Sequence, residues 1–170
     1  VIASVLIAAA GYIINDYYDV KIDLINKPER VIVGRGISWR YAILLHTVLS
    51  IAGIMLGLIL NWKIGAVNFF SVFMLWLYSN RLKRLPFVGN FLVAFITGGS
   101  IAITWLLYPF AGKTNILIYA MFAFFVTLVR EIIKDMEDLK GDDTFGCKTL
   151  PIVWGLRKTK NAIYILTIAF

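Results

Sequence analysis

Charge is scarce in this chain: of 170 residues only 16% are charged and ten are acidic, against 60% hydrophobic residues and a mean hydropathy of +0.81. That balance excludes an ordinary soluble domain and predicts a membrane protein. Cysteine is nearly absent as well. Cys147 stands alone, which excludes an internal disulfide, and a single thiol beside charged residues fits a reducing, cytoplasmic face. The apolar runs lack period-2 alternation and open sheets cannot live in lipid, so strands are excluded and the runs read as helices. There is no initiator methionine: the chain begins at Val1 inside one apolar run and stops at Phe170 inside another, so a piece of a longer polypeptide is expected. The net charge of +7 does not indicate nucleic acid, because the basic residues flank apolar spans.

Those spans lie at about 1–14, 41–60, 64–80, 88–108, 114–129 and 161–170. Crossing a hydrocarbon core of roughly 30 Å takes about 20 helical residues. The runs 41–60 and 88–108 meet that length, and 64–80 and 114–129 do so if their helices run slightly past the apolar limits. The first, third and fifth connections hold most of the basic residues, including Lys21, Lys27, Arg30 and Arg35, then Arg81, Lys83 and Arg84, then Arg130, Lys134, Lys140 and Lys148. The second and fourth, near Asn61 and Pro109–Asn115, hold only Lys63 and Lys113. The positive-inside bias places the odd connections in the cytoplasm, and all ten carboxylates fall on that side too.

The carboxylates are not scattered. Asp16, Asp19 and Asp23 stand at i, i+3 and i+7, and Asp135, Asp138 and Asp142 repeat the spacing at a constant offset of 119 residues. On a helix each trio falls within an arc of roughly 60°, a carboxylate stripe on one face, and Tyr12 and Glu131 fall on the same faces one turn earlier. Four spans separate the trios, an even number, so both follow helices that run the same way, as in a parallel internal repeat. Like charges at this spacing repel, which calls for a cation among them. Mg²⁺ takes oxygen ligands and commonly combines one or two carboxylates with waters and substrate phosphate oxygens. Asn15 and Asn26 add neutral partners, and Lys27, Arg30, Arg35, Lys83, Arg84, Arg130 and Lys134 add donors for phosphate. Carboxylates and arginines at a membrane surface point to a Mg²⁺-bridged diphosphate whose other end lies among apolar helices.

NDxxDxxxD at Asn15–Asp23, the matching acidic spacing at Asp135–Asp142 with GCKTLP at 146–151, and YSNRLKR at 78–84 followed by GN at 89–90 together resemble the UbiA-type intramembrane prenyltransferases. The resemblance covers essentially the whole chain. It implies an all-α, polytopic transmembrane bundle of nine helices, with residues 1–170 forming part of a single transmembrane prenyltransferase domain, from about its second helix to its seventh. It also implies the reaction: an allylic polyprenyl diphosphate ionises with help from Mg²⁺, and a lipophilic acceptor captures the prenyl group. By position, Asp16, Asp19, Asp23, Asp135, Asp138 and Asp142 match the metal-binding and catalytic motifs. Asn15, Arg30, Tyr78, Lys83, Arg84, Arg130 and Lys134 are the expected substrate-binding residues. One departure is that Arg30 is followed by Val31, where the family often has proline, while Pro28 comes earlier.

Within the family, NDYYDVKIDLINKPERVIVGR and REIIKDMEDLKGDDTFGCKTLP look most like the geranylgeranylglycerol-phosphate geranylgeranyltransferase branch, whose acceptor is a glycerophosphate lipid hydroxyl. Quinone-forming members, which prenylate an aromatic ring, are the alternative. A divalent-cation transporter is the rival from another class, but transporters place coupling carboxylates near the bilayer midplane, whereas these trios sit at span ends amid arginines. A soluble isoprenoid synthase fails on hydropathy, and no DGxxAR pattern supports a lipid-alcohol phosphotransferase. The expected setting is a prokaryotic plasma membrane with the site opening to the cytoplasm. His46 and the pair Gly98–Gly99 read as packing residues, Cys147 as a small residue in a turn, and Tyr17, Tyr18, Trp62, Trp105 and Tyr108 as an interfacial aromatic belt.

Overall fold

The computed structural model describes residues 1–107 and 112–169; the expectations that fall on Tyr108, Pro109 and Phe170 lie outside the described residues. These residues are helical or loop, with one isolated backbone bridge between Val33 and Ile37. They divide into two compact units, Val1–Asn80 and Arg81–Phe170, and each unit carries one acidic motif.

The first unit is built from α1 (Ile2–Asn26), α2 (Trp39–Leu60) and α3 (Trp62–Asn80), each packed against the other two. The helix α1 does not stop at the last apolar residue of its span. It continues through the first acidic motif to Asn26, and ends there because Lys27 precedes Pro28, a placement that disfavours helical backbone; Lys27 sits at φ −145° with its N–H on the Asp23 carbonyl. A 3₁₀ turn, Pro28–Arg30, follows. Gly34 then takes φ +85°, a left-handed backbone that suits glycine, and the N–H groups of Arg35, Gly36 and Ile37 all point to the Ile32 carbonyl. This tight loop returns the chain to Ser38, whose hydroxyl accepts from the Tyr41 N–H and caps α2. Val33 is buried from it with Val20 and Ala42.

A single residue, Asn61, joins α2 to α3. Its N–H bonds to Gly57, and its side-chain oxygen accepts from the Lys63 N–H. The two helices approach closely because Gly57 and Gly65 line the crossing: a Cβ on Gly57 would lie 2.4 Å from Asn68 Nδ2, and one on Gly65 2.2 Å from Leu58 Cδ2. Asn68, buried there, donates to the Gly53 carbonyl at 2.9 Å, an interhelical bond of the kind that small-residue packing permits.

In the second unit, α4 (Val88–Ala102) packs against α6 (Lys113–Glu137), with α5 (Thr104–Leu107), α7 (Leu139–Thr144), α8 (Leu150–Trp154) and α9 (Leu156–Ala169) completing it. Ala94, Leu128, Ile132 and Leu150 form its buried core. Within the expected span 88–108, α4 ends at Ala102 and α5 takes up at Thr104, with Ile103 between them at φ −61° and ψ −23° and its N–H on the Gly99 carbonyl. The Ser100 and Thr104 hydroxyls bond the carbonyls of Thr97 and Ile101 beside this junction. Among the described residues two helices, α2 and α6, are long and apolar enough to cross a membrane. Their outward faces carry Ile43, Leu44, Val48, Ile51 and Met55, and Leu117, Ile118, Met121, Phe122 and Val126, all exposed, as expected of surfaces solvated by lipid.

The glycine pair divides in two. A Cβ at Gly98 would stand 2.8 Å from the Ala120 carbonyl oxygen, while one at Gly99 would meet nothing within 4 Å. Gly98→Ala should therefore destabilise the protein by about 1–3 kcal/mol, read as a lowered melting temperature in detergent, and Gly99→Ala should leave that temperature unchanged or slightly raised.

Candidate functional site

Asp23 stands in the last turn of α1 and Asp135 in the last turn of α6, where the helix dipole is negative and further negative charge is unfavourable by about 0.3–1 kcal/mol. No basic residue lies in the last turn of α1.

In the first unit Asn15, Asp16, Asp19 and Asp23 all sit on α1, as the spacing predicted. Asp16 is exposed, and Asp19 and Asp23 are half-buried. The side-chain oxygen of Asn15 is buried with no hydrogen-bond partner, an acceptor awaiting a cation or donor. Tyr17 packs edge-on against Tyr18 and Trp39, with ring centroids 5.4 and 5.0 Å apart. Arg30 is exposed in the 3₁₀ turn. Arg35 is committed elsewhere, its guanidinium donating to the Pro28 carbonyl at 2.8 Å. Tyr78 is half-buried in the last turn of α3.

In the second unit the stripe is not one straight helix. Asp135 lies on α6, Asp138 caps its end with φ −89° and ψ 6°, and Asp142 lies on α7. The backbone still bonds from Asp138 N–H to Lys134 and from Asp142 N–H to Asp138, so the helical register survives a local kink. Gly141 and a run of poor helix formers, Asp142 to Thr144, explain why α7 is short. It closes in a Schellman cap: Gly146 at φ +69° bonds Asp143, and Cys147 N–H bonds Asp142. Cys147 is buried in that turn, as expected of a small residue there.

This motif is more enclosed than the first. Asp138 and Asp142 are 9% and 8% exposed, and Glu131 is 5% exposed and ion-paired with the exposed Arg130. Glu131, Asp142 and Lys134 all act electrostatically on Asp135. Lys83 and Arg84 form a 3₁₀ turn after Arg81. The Lys148 N–H donates to the Arg84 carbonyl at 2.8 Å, tying this basic turn to the segment that follows the acidic motif. Spacing gave no warning of Asn90, in the first turn of α4, which donates from Nδ2 to Asp135 Oδ2 at 2.8 Å. The partners are 45 residues apart, so only a structure pairs them.

Among the described residues no three His, Cys, Asp or Glu side chains converge as a metal cage. The donors present are all oxygen, and the orphaned Asn15 oxygen sits within the first motif. That set fits Mg²⁺, which needs few protein ligands and completes its shell with water and phosphate oxygens.

The profile of the UbiA prenyltransferase family matches residues 1–170. The chain belongs to the UbiA prenyltransferase family. This UbiA chain is similar to digeranylgeranylglyceryl phosphate synthase of Methanobrevibacter smithii, 41% identical over 160 residues that cover 86% of this chain and 54% of the relative. It is similar also to proteins of the same name from Sulfurisphaera tokodaii, 42% identical with 91% and 56% covered, and Saccharolobus solfataricus, 40% identical with 96% and 58% covered. A solved structure, described as giving structural and mechanistic insights into the biosynthesis of digeranylgeranylglyceryl phosphate synthase in membranes, superimposes with a TM-score of 0.73 at 28% identity. That match covers 99% of this chain and 59% of the other. The UbiA chain thus spans a little over half the length of the relatives it matches, and it is an all-α membrane protein.

His46 lies outside the acidic motifs. Its Nδ1 is 3.0 Å from the Ala10 carbonyl, which joins α2 to α1. His46→Leu should lower the melting temperature, by a loss of about 1 kcal/mol, and leave turnover of the full-length protein within about twofold of wild type.

Proposed function

We propose that the protein of which residues 1–170 form part is a digeranylgeranylglyceryl phosphate synthase, transferring geranylgeranyl from its diphosphate to geranylgeranylglyceryl phosphate in ether lipid synthesis. One observation carries this reading: over 86 to 96% of its length the chain is about 40% identical to proteins of that name. We place the 170 residues within a single transmembrane prenyltransferase domain. The bias of basic residues toward the odd connections supports a site opening to the cytoplasm of a prokaryotic plasma membrane.

In this reading the C1–O bond of the allylic donor breaks and diphosphate leaves with the electron pair. The acceptor hydroxyl oxygen then forms a new C–O bond at C1 and loses its proton. Asp16, Asp19 and Asp23, with Asn15, and Asp135, Asp138 and Asp142 would hold Mg²⁺. The ion would supply positive charge where the leaving diphosphate gathers negative charge, a stabilisation worth several kcal/mol. Arg30, Lys83, Arg84, Arg130 and Lys134 supply further charged donors for phosphate oxygens, and Tyr78 a phenolic one. Glu131 holds Arg130 through an ion pair. The apolar faces of the helices accommodate the prenyl chain and exclude water from a cationic carbon, and aromatic faces stabilise such a cation.

Asp16→Ala and Asp135→Ala in the full-length protein should each abolish Mg²⁺-dependent release of diphosphate from geranylgeranyl diphosphate, a loss of at least about 10²-fold. Full turnover by both would remove the metal assignment. Offered a glycerophosphate ether lipid and an aromatic acid side by side, the enzyme should prenylate the lipid. An aromatic product alone would assign it to quinone synthesis instead.

A further inference from the structure

Among the groups around Asp135, the Asn90 amide is the one that gives direction. Glu131 and Asp142 act on Asp135 as like charges and Lys134 as an opposite one, and such forces set energy more than orientation. The Asn90 Nδ2–H···Oδ2 bond, at 2.8 Å, fixes an angle as well as a distance. An amide also keeps its donors whatever the protonation of its neighbours.

Asn90 is itself well held. It is 5% exposed and belongs to the first turn of a helix whose packing on α6 is set independently of the bond. Phe91 meets Phe124 edge-on at 5.4 Å, Gly98 leaves no room for a Cβ against Ala120, and Ala94 is buried with Leu128 and Ile132. The amide is therefore presented to Asp135 by one rigid element on another, the arrangement that best preserves the geometry of a site.

We propose that Asn90 is a positioning residue for Asp135, engaging Oδ2 and so presenting Oδ1 as the oxygen the second acidic motif offers to a metal ion. This rests on the reading of that motif as a Mg²⁺–diphosphate site. Mg²⁺ demands near-ideal octahedral geometry, so a carboxylate whose rotation is already restrained loses less freedom on ligation. Hydrogen-bond partners of this kind alter metal affinity by about 10–100-fold when removed.

The test uses the full-length protein. Asn90→Leu keeps the size of the side chain and deletes the donor; Asn90→Ala deletes the donor without adding a branched side chain, and is examined in parallel so that misfolding of the leucine variant does not decide the matter. Mn²⁺ affinity is measured by electron paramagnetic resonance without substrate, and the Mg²⁺ dependence of diphosphate release is measured separately. The Mn²⁺ dissociation constant and the Mg²⁺ concentration for half-maximal rate should both rise about 10-fold or more, with a much smaller fall in rate at saturating Mg²⁺. In an Asp135→Asn background, removing the Asn90 donor should cost no further Mn²⁺ affinity. Unchanged Mn²⁺ affinity in a folded variant would overturn the proposal, as would an equal loss in the Asp135→Asn background, or Mn²⁺ binding indifferent to Asp135→Asn. If Mn²⁺ binding follows the expected pattern while the wild-type protein releases no diphosphate, the assignment of Asn90 stands and the prenyltransferase reading fails.

Discussion

A carboxylate at the C-terminal end of an apolar helix is opposed from two directions, by the low polarity beside it and by the negative end of the helix dipole. The rest of this structure is arranged around meeting that opposition twice. On α1 Asp16 is exposed and Asp19 and Asp23 are half-buried. In the second unit the acidic groups are more enclosed: Glu131 takes Arg130, Asp135 takes the Asn90 amide, and Asp138 and Asp142 lie buried at a kink with backbone bonds continuing through it. Two motifs with one spacing therefore stand in different environments.

The same constraint explains why so much was legible in the sequence. A helix in lipid must satisfy its backbone internally, so apolar runs translate almost directly into helices. The run 41–60 lies within α2, and 64–80 coincides with α3 but for its first two residues. Acidic periodicity was equally direct in α1, because nothing between Asn15 and Asn26 breaks the helix and Pro28 ends it. Membership of the UbiA family follows from those same motifs and holds across all 170 residues.

What stayed hidden depends on contacts between distant segments or on local turns of the backbone. Nothing in the hydropathy of 88–108 separates Ile103, where α4 gives way to α5, from its neighbours. Gly98 and Gly99 are indistinguishable in a sequence, yet one faces the Ala120 carbonyl and the other open space. Arg35 read only as one of several basic donors near the first motif, and its guanidinium donates to the Pro28 carbonyl, a contact that spacing does not foretell. The partnership of Asn90 with Asp135 belongs to the same category, because it needs the register of α4 on α6.

The bond from Lys148 N–H to the Arg84 carbonyl joins the basic turn to the segment that follows the acidic motif through their backbones. Because Cys147 N–H is anchored to Asp142 one residue earlier, the basic turn and the end of the acidic motif are separated by a short relay of main-chain bonds. Such a relay transmits displacement with little slack. The basic turn and the cap beside Asp142 are thus fixed in place through one another by main chain alone.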